Sequence, residues 1–130
     1  MFAASLAYSL GKSIGDIRQG LRTFDTSFFQ VPGRMNIFDQ HPFTTILDYG
    51  HNPAAIRSVM KTIDRMNVAR EKTIVIKAPG DRRDKDIEEI GRIIAGHFDN
   101  YILDEDDDLR GRKQYQISSI IKKQLLNNLG

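Results

Sequence analysis

The stretch that most constrains the fold is TTILDYGHNP, residues 44–53, in which an apolar strand ends in a polar turn and a helix start. Asn52 is a good helix cap because its side chain accepts from a free backbone N–H, and Pro53 at the first helical position loses no hydrogen bond. The free N–H groups and the helix dipole favour an anion beyond the strand end, flanked by Asp48 and His51. Ligands of open α/β sheets bind at such strand ends, so the turn is a candidate site. Ordinary loop chemistry gives the same pattern.

Composition excludes several classes of protein. A chain of 130 residues with 40% hydrophobic content is one domain of ordinary size with a real core. The net charge is +2 with basic and acidic residues mixed, which does not indicate a nucleic-acid interface. The chain has no Cys, so it has no disulfide, thiolate metal site or cysteine nucleophile, and it fits a reducing compartment. Residues 2–10 are too short to span a bilayer and lack a preceding basic region. We therefore expect a cytoplasmic protein with neither a membrane nor a nucleic-acid partner.

The amino-terminal part predicts a helical hairpin. Residues 3–10 and 14–24 have helical patterns, Ser13 can cap the second helix, and a Gly-Lys pair separates them. Residues 25–33 lack a helical pattern and contain Pro-Gly, which predicts a linker with a domain boundary near Phe29.

The rest of the chain alternates strands with helices. Strands over residues 34–39 and 43–48 are joined by three residues, which predicts an antiparallel hairpin at a sheet edge. The apolar stripes and β-branched runs that follow predict helices over residues 53–66, 84–98 and 115–126, and strands over 73–78 and 101–103. The strand TIVIKA is of the kind that is buried on both faces of a parallel sheet. The fold class is α/β: a three-layer, Rossmann-like, mainly parallel sheet with an antiparallel edge hairpin, preceded by the helical hairpin.

Two stretches besides the central turn place charged side chains near strand ends. Arg34, in VPGR at residues 31–34, follows a rigid turn, where its guanidinium could hold a phosphate or ribose or simply be solvated. Asp81, Arg82 and Arg83, in APGDRRD at residues 78–84, follow a buried strand and share its carboxyl edge with the Asp48 turn. A charged turn with Asp84 capping the next helix explains the second stretch equally well.

The third charged stretch is DEDDDLRGRK, residues 104–113, which places five consecutive acids before three basic residues. Such a run is either a solvated loop or a cation site, and the residues alone do not separate the two. No cluster has the spacing of a zinc site, so no metal ligand is assigned. The sequence G-x-x-x-x-G-K-[ST] is also absent, so the chain lacks a P-loop with which to hold ATP.

The motifs VPGR, LDYGHNP, APGDRRDKDI and EDDDLRGRK occur in this order. In this respect the chain resembles the carboxy-terminal domain of the Mur ligase family over most of residues 31–113. PGR and DYGHNP are shared widely in that family, whereas PGDRRD with EDDDLRGRK is more typical of its cyanophycin synthetase branch. Residues 1–29 resemble the helices that end the central ATP-binding domain, plus a linker. Residues 30–130 resemble the carboxy-terminal domain without its final strands, which predicts a truncated chain.

The resemblance implies an ATP-dependent amide ligase, in which a carboxylate is phosphorylated and an amine attacks the acyl phosphate. By that pattern Arg34 and Asp48 contact the nucleotide, while His51 and Asn52 line the reaction centre. The complete enzyme would use ATP and Mg²⁺. Neither is expected on this chain alone, because the P-loop domain is a missing partner, and the isolated chain is expected to be inactive.

The resemblance also implies an amino acid substrate such as arginine, joined to an aspartate carboxyl. Carboxylates pair well with a guanidinium, so the acidic loop would hold the basic side chain and nearby arginines an anionic group. The candidate substrate ligands are Asp81, Arg82, Arg83, Glu105, Asp106, Asp107, Asp108, Arg110 and Arg112. The alternative is a non-catalytic remnant or interaction module that keeps the fold. The oligomeric state stays open, a homo-oligomer included.

Overall fold

The computed structural model describes residues 2–25, 27 and 29–129. It contains two compact units, residues 1–49 and 50–130. The first unit therefore groups the strands that follow residue 30 with the helical hairpin, and the predicted boundary near Phe29 stays a prediction. None of the helices in these described ranges is long and apolar enough to cross a membrane.

The first unit begins with two helices, α1 (Phe2–Ser9) and α2 (Ile14–Thr23). Ser13 caps α2 as predicted, because its hydroxyl accepts from the backbone N–H of Asp16 at 3.1 Å. Neither helix has a buried residue. Apolar side chains on both helices are exposed, and Phe2 is 95% exposed. The two helices therefore have no buried core of their own, and local signals such as the Ser13 cap specify them.

The strands of the first unit form the predicted antiparallel hairpin. Strand β1 (Asn36–Phe38) pairs with β2 (Thr45–Leu47), with Ile37 opposite Ile46. Both strands are shorter than predicted, and Asn36, at the start of β1, is buried.

The second unit contains three amphipathic helices around one core. They are α3 (Pro53–Ile63), α4 (Asp84–Ile94) and α5 (Gln116–Leu129). The predicted apolar stripes form this core, in which Ile87, Ile94 and Ile121 are at most 1% exposed. Helix α4 ends four residues earlier than predicted. The hydroxyl of Tyr101 accepts from the N–H of Gly96 at 2.9 Å and donates to the carbonyl of Ile94 at 3.1 Å, which closes the helix end.

The strands of the second unit, β3 (Thr73–Ile76) and β4 (Asn100–Leu103), pair in parallel, as the βαβ pattern predicts. One face of this pair packs against the core. On the other face Val75 is 65% and Ile102 is 52% exposed, so the prediction that this strand is buried on both faces is wrong within this unit. The strands of the described residues form two two-stranded sheets, so the fold is mixed α/β and the single three-layer sheet is not confirmed.

Candidate functional site

The VPGR turn in the first unit has a fixed and strained backbone. Gly33 has φ +70° and Met35 has φ +49°, a left-handed value that a residue with a Cβ rarely adopts. The side chain of Asn36, which is 1% exposed, accepts from the N–H of Gly33 at 2.6 Å and donates to the carbonyl of Val31 at 3.0 Å. A buried amide group thus holds the turn from inside. Strain of this kind persists only where the surroundings over-determine the backbone, which is common at functional sites.

The end of β2 is fastened to the same turn. The Asp48 carboxylate accepts from the N–H of Met35 at 3.0 Å, and the Tyr49 N–H donates to the carbonyl of Gly33 at 2.7 Å. The guanidinium carbon of Arg34 lies 5.6 Å from the centre of the Tyr49 ring, a cation–π geometry. The structure therefore brings the two predicted nucleotide ligands, Arg34 and Asp48, to one turn. An exposed guanidinium on a fixed backbone suits the binding of a phosphate.

The second unit begins with the two residues predicted for the reaction centre. Asn52 is the N-cap of α3, and its side-chain oxygen accepts from the N–H of Ala55 at 2.9 Å, which confirms the predicted cap. Pro53 occupies the first helical turn, also as predicted. His51, directly before the cap, is half-buried. The roles of His51 and Asn52 in a reaction stay predictions.

Glu105, in the acidic stretch after β4, caps helix α5. One carboxylate oxygen accepts from the N–H of Tyr115 at 2.6 Å, and the other accepts from the N–H and hydroxyl of Ser118 at 3.2 and 2.8 Å. Burial alone would raise the pKa of Glu105, but the bonds from Ser118 and Tyr115 outweigh it and lower the pKa below its usual value of 4.5. A carboxylate with both oxygens engaged at a helix start is a cap, so these contacts do not support Glu105 as a substrate ligand.

The guanidinium of Arg112 forms hydrogen bonds to the loop after β3. Its Nε donates to the Gly80 carbonyl at 2.7 Å, one terminal nitrogen donates to the Asp84 carboxylate at 2.6 Å, and the other donates to the Arg82 carbonyl. Its side chain is only 14% exposed. Arg112 therefore ties two loops together, and its contacts do not support the predicted hold on an anionic substrate group.

Arg110 remains at the surface between two carboxylates. Its guanidinium lies 3.0 Å from Asp81 and 3.8 Å from Asp108, and Asp108 also accepts from the Arg110 backbone N–H at 3.0 Å. The side chains of Arg110 and Asp81 are 41% and 50% exposed. The structure thus brings together predicted substrate ligands from both loops into one charged cluster, which we call the Asp81–Arg110 cluster: Asp81, Asp108 and Arg110. Its mixed charge suits a ligand that carries both a cation and a carboxylate, such as an amino acid.

The remaining charged candidates lie around this cluster. Arg83 makes two bonds to Asp86, at 2.7 and 3.0 Å, and this guanidinium lowers the pKa of Asp86. Arg83 is also the N-cap position of α4, without a side-chain cap bond, so the expected cap by Asp84 is wrong. The Nε of Arg82 is buried without a hydrogen bond, 3.9 Å from Asp81.

Two further acids of the stretch, Asp106 and Asp107, lie at or near the surface. Asp106 lies 3.8 Å from the Lys77 ammonium, and Asp107 is exposed. Among the side chains that the structure describes, no group of three or more His, Cys, Asp or Glu is placed to hold a metal ion.

Two residues of this region have roles that the sequence patterns above do not identify. Asn36 lies at the start of β1. Asn is disfavoured in strands, so its presence there is the signal that indicates a special role. Gly80 belongs to the Pro-Gly pair of APGDRRD, a pattern that predicts a turn after the strand but not a contact between two loops. A Cβ built on Gly80 would lie 2.3 Å from the Leu109 carbonyl oxygen, so only glycine permits this approach of the two loops.

Comparison of the sequence with known proteins shows the family of this chain. Residues 33–128 match the family model described as "Mur ligase, glutamate ligase domain". The chain is 43% identical to a cyanophycin synthetase of Synechocystis sp. over 124 residues, which are 95% of this chain and 14% of that protein. It is 41% identical to the cyanophycin synthetase of Crocosphaera subtropica over 119 residues, which are 92% of this chain and 13% of that protein.

The chain is also similar, at lower identity, to a ligase with a different name. The chain is 30% identical to the UDP-N-acetylmuramoyl-L-alanyl-D-glutamate--2,6-diaminopimelate ligase of Aquifex aeolicus over 108 residues, which are 81% of this chain and 21% of that protein. In each of these comparisons the chain covers about a fifth or less of the relative's length.

Proposed function

We propose, because the chain belongs to the Mur ligase family, that it serves as the carboxy-terminal, substrate- and nucleotide-closing domain of an ATP-dependent amide ligase that resembles cyanophycin synthetase. The observation that carries this proposal is the VPGR turn, which presents Arg34. An exposed guanidinium on a backbone held by Asn36 and Asp48 is a pre-built contact for the phosphates of a nucleotide.

The reaction has two steps. A carboxylate oxygen of the acceptor attacks the γ-phosphorus of ATP, the bond from that phosphorus to the bridging oxygen breaks, and ADP leaves. The amine nitrogen of the incoming amino acid then attacks the carbonyl carbon of the acyl phosphate. The bond from that carbon to the phosphate oxygen breaks, phosphate leaves, and the nitrogen gives up a proton. The acyl phosphate is sensitive to water, so a domain that closes over it favours attack by the amine.

The residues of this chain have separate roles in that scheme. Arg34 neutralises phosphate charge and Asp48 holds the turn that carries it, with its carboxylate beside the nucleotide. His51 and Asn52, at the start of α3, line the reaction centre. The domain contributes orientation and electrostatics rather than a nucleophile. The Mg²⁺ that accompanies ATP would be held largely by the P-loop domain and the phosphates, since no metal-binding cluster occurs among the described residues.

The incoming amino acid is proposed to be basic, with arginine as the leading candidate and an aspartate side chain as acceptor. Asp106, Asp107 and Asp108 follow β4 and would offer carboxylates to a guanidinium. Arg110, flanked by Asp81, would receive the carboxylate of the amino acid.

The organisation of the complete protein follows the same family pattern. Residues 1–29 would end the central ATP-binding domain, which accounts for the exposed apolar side chains of α1 and α2. The β3–β4 pair would be part of a three-layer, mainly parallel sheet, whose second helical layer covers Val75 and Ile102. The partner that supplies the P-loop is this central domain, and the absence of Cys suits a cytoplasmic ligase.

A hybrid ligase tests the proposal. In it, the matching segment of Synechocystis cyanophycin synthetase is replaced by this chain. We expect Arg34→Ala to raise the KM for ATP about tenfold or more, as expected when a charged hydrogen bond is lost, with little change in the KM for arginine. Asp48→Ala should have a smaller effect in the same direction. Arg57→Ala is the matched control, since Arg57 pairs with Glu89 on the surface of the second unit. Unchanged ATP kinetics in a folded Arg34→Ala hybrid would exclude the nucleotide role of this turn.

A further inference from the structure

The loops after β3 and β4 touch through their backbones. Gly80 is buried, and a Cβ on it would lie 2.3 Å from the carbonyl oxygen and 2.9 Å from the carbonyl carbon of Leu109. Real Cβ atoms do not approach so closely, so a side chain at this position would force the loops apart. Gly80 needs no positive φ, so its constraint is one of space alone.

Arg112 joins the same two loops through hydrogen bonds. Its three guanidinium nitrogens each donate to a different residue of one loop, Gly80, Arg82 and Asp84. Only the planar fork of arginine presents three nitrogens in this fixed geometry, whereas the single ammonium of lysine cannot reach three acceptors spread in this way. The side chain is 14% exposed and therefore lies between the loops rather than in solvent. We call the close approach of Gly80 to Leu109, together with the three bonds of Arg112, the clamp.

The residue that the clamp holds in place is Arg110. Its backbone has φ +47°, and Gly111 follows with φ +84°, so the chain turns through two left-handed residues between the surface guanidinium and the clamp. Two hydrogen bonds fix this turn. The Arg110 N–H donates to the Asp108 carboxylate at 3.0 Å, and the Arg112 N–H donates to the Leu109 carbonyl at 3.0 Å. These bonds lie within the turn, so it is the clamp that keeps this strained segment beside Asp81.

We propose that Arg112 is a positioning residue that locks the two loops together and thereby holds Arg110 against Asp81, in the orientation in which the Asp81–Arg110 cluster selects the incoming amino acid. This inference rests on the proposed function, since it assumes that the cluster receives that substrate. It assigns different tasks to two arginines of one motif. Arg110 contacts the ligand, and Arg112 contacts only the protein.

The experiment uses the hybrid ligase and separates positioning from mere stability. In folded Arg112→Lys and Arg112→Gln variants, the KM for arginine should rise about tenfold or more, because misplacement of a binding group by about 1 Å costs up to 10²-fold. The KM for ATP should change less than about twofold. Gly80→Ala leaves every charge in place but separates the loops, so it should shift the KM for arginine in the same direction.

The controls keep the outcomes distinct. Arg92→Gln removes an exposed arginine that bonds to Glu88 and Gln124 on the helices, and it should leave both KM values unchanged. If Arg110→Gln raises the KM for arginine while Arg112→Lys and Gly80→Ala lower only the melting temperature, the clamp proposal is wrong and the substrate site stands. If Arg110→Gln has no effect on the KM for arginine, the assignment of the substrate site itself fails.

Discussion

Gly91→Ala is expected to destabilise the second unit, although alanine is the better helix former. Gly91 is buried in α4 where this helix crosses α5. A Cβ there would lie 2.7 Å from the Cβ of Gln124 and 3.2 Å from the carbonyl oxygen of Ile121. Carbon atoms prefer separations of about 3.5–4.0 Å, so α5 would have to retreat by roughly 1 Å. Both neighbouring atoms belong to or adjoin the α5 backbone, so no flexible side-chain end can yield instead.

Two opposing terms set the magnitude. Replacing glycine by alanine inside a helix gains about 0.8–1 kcal/mol. Inserting a methyl group into a packed interior costs typically about 1–3 kcal/mol. The difference predicts a net loss of about 1 kcal/mol in the free energy of unfolding, or roughly 4–8 °C in melting temperature for a unit of this size.

The assay is urea denaturation followed by circular dichroism, with two background variants. Gln124→Gly removes the Cβ that the new methyl group at position 91 would strike, so Gly91→Ala should cost less or become favourable in that background. Gln124→Ala keeps that Cβ, so the loss should persist there. If Gly91→Ala stabilises the protein by about 1 kcal/mol in all three backgrounds, helix propensity alone decides and the close crossing of α4 and α5 is refuted.

Three further predictions follow from the VPGR turn and the acidic stretch. Because the pKa of Glu105 is lowered, its hydrogen bonds stabilise the fold above about pH 4.5, and this contribution is lost as pH falls through the folded-state pKa. The difference in melting temperature between wild type and Glu105→Gln should therefore shrink from pH 6 to pH 3. A constant difference would contradict the cap. Asn36→Ala leaves backbone groups of the VPGR turn without partners and should lower the free energy of unfolding, measured by denaturation, by about 1–3 kcal/mol. Asn36→Asp should not restore stability fully, because a carboxylate cannot donate to the Val31 carbonyl. An Asn36→Ala variant as stable as the wild type would refute the role of the amide. In the hybrid ligase, Asp106, Asp107 and Asp108 are replaced by Asn one at a time, and at least one variant should show a lower preference for arginine over a neutral amino acid. Glu105→Gln should leave this preference unchanged. Unchanged selectivity in all variants would show that the acidic run is a solvated loop.

Local patterns predicted the elements of the fold because their causes are local. The stripes of α3, α4 and α5 follow from helical spacing, and the cap by Asn52 follows from two adjacent residues. The end of α4 was not predictable in this way. The apolar spacing continues to Phe98, but the helix stops at Ile94 because the Tyr101 hydroxyl, on the next strand, bonds to its end.

The site was predicted as a set of loops but not as a set of contacts. The charged stretches after β3 and β4 do meet, as expected for the carboxyl ends of neighbouring parallel strands. Which carboxylate would cap α5 depends on how the chain returns from residue 105 to residue 118, and no local pattern carries that information. For the same reason Arg110 and Arg112 look alike in the sequence, although one lies at the surface and the other between two loops.

Phosphate release tests most directly the central claim that this chain closes the active site of an amide ligase. It would be measured with ATP and an aspartate-containing acceptor, with and without arginine, for the hybrid ligase and for the isolated chain. We predict arginine-dependent release by the hybrid and none by the isolated chain, which has no P-loop sequence. A folded hybrid that releases no phosphate on addition of arginine, or an isolated chain that turns over ATP by itself, would contradict this account.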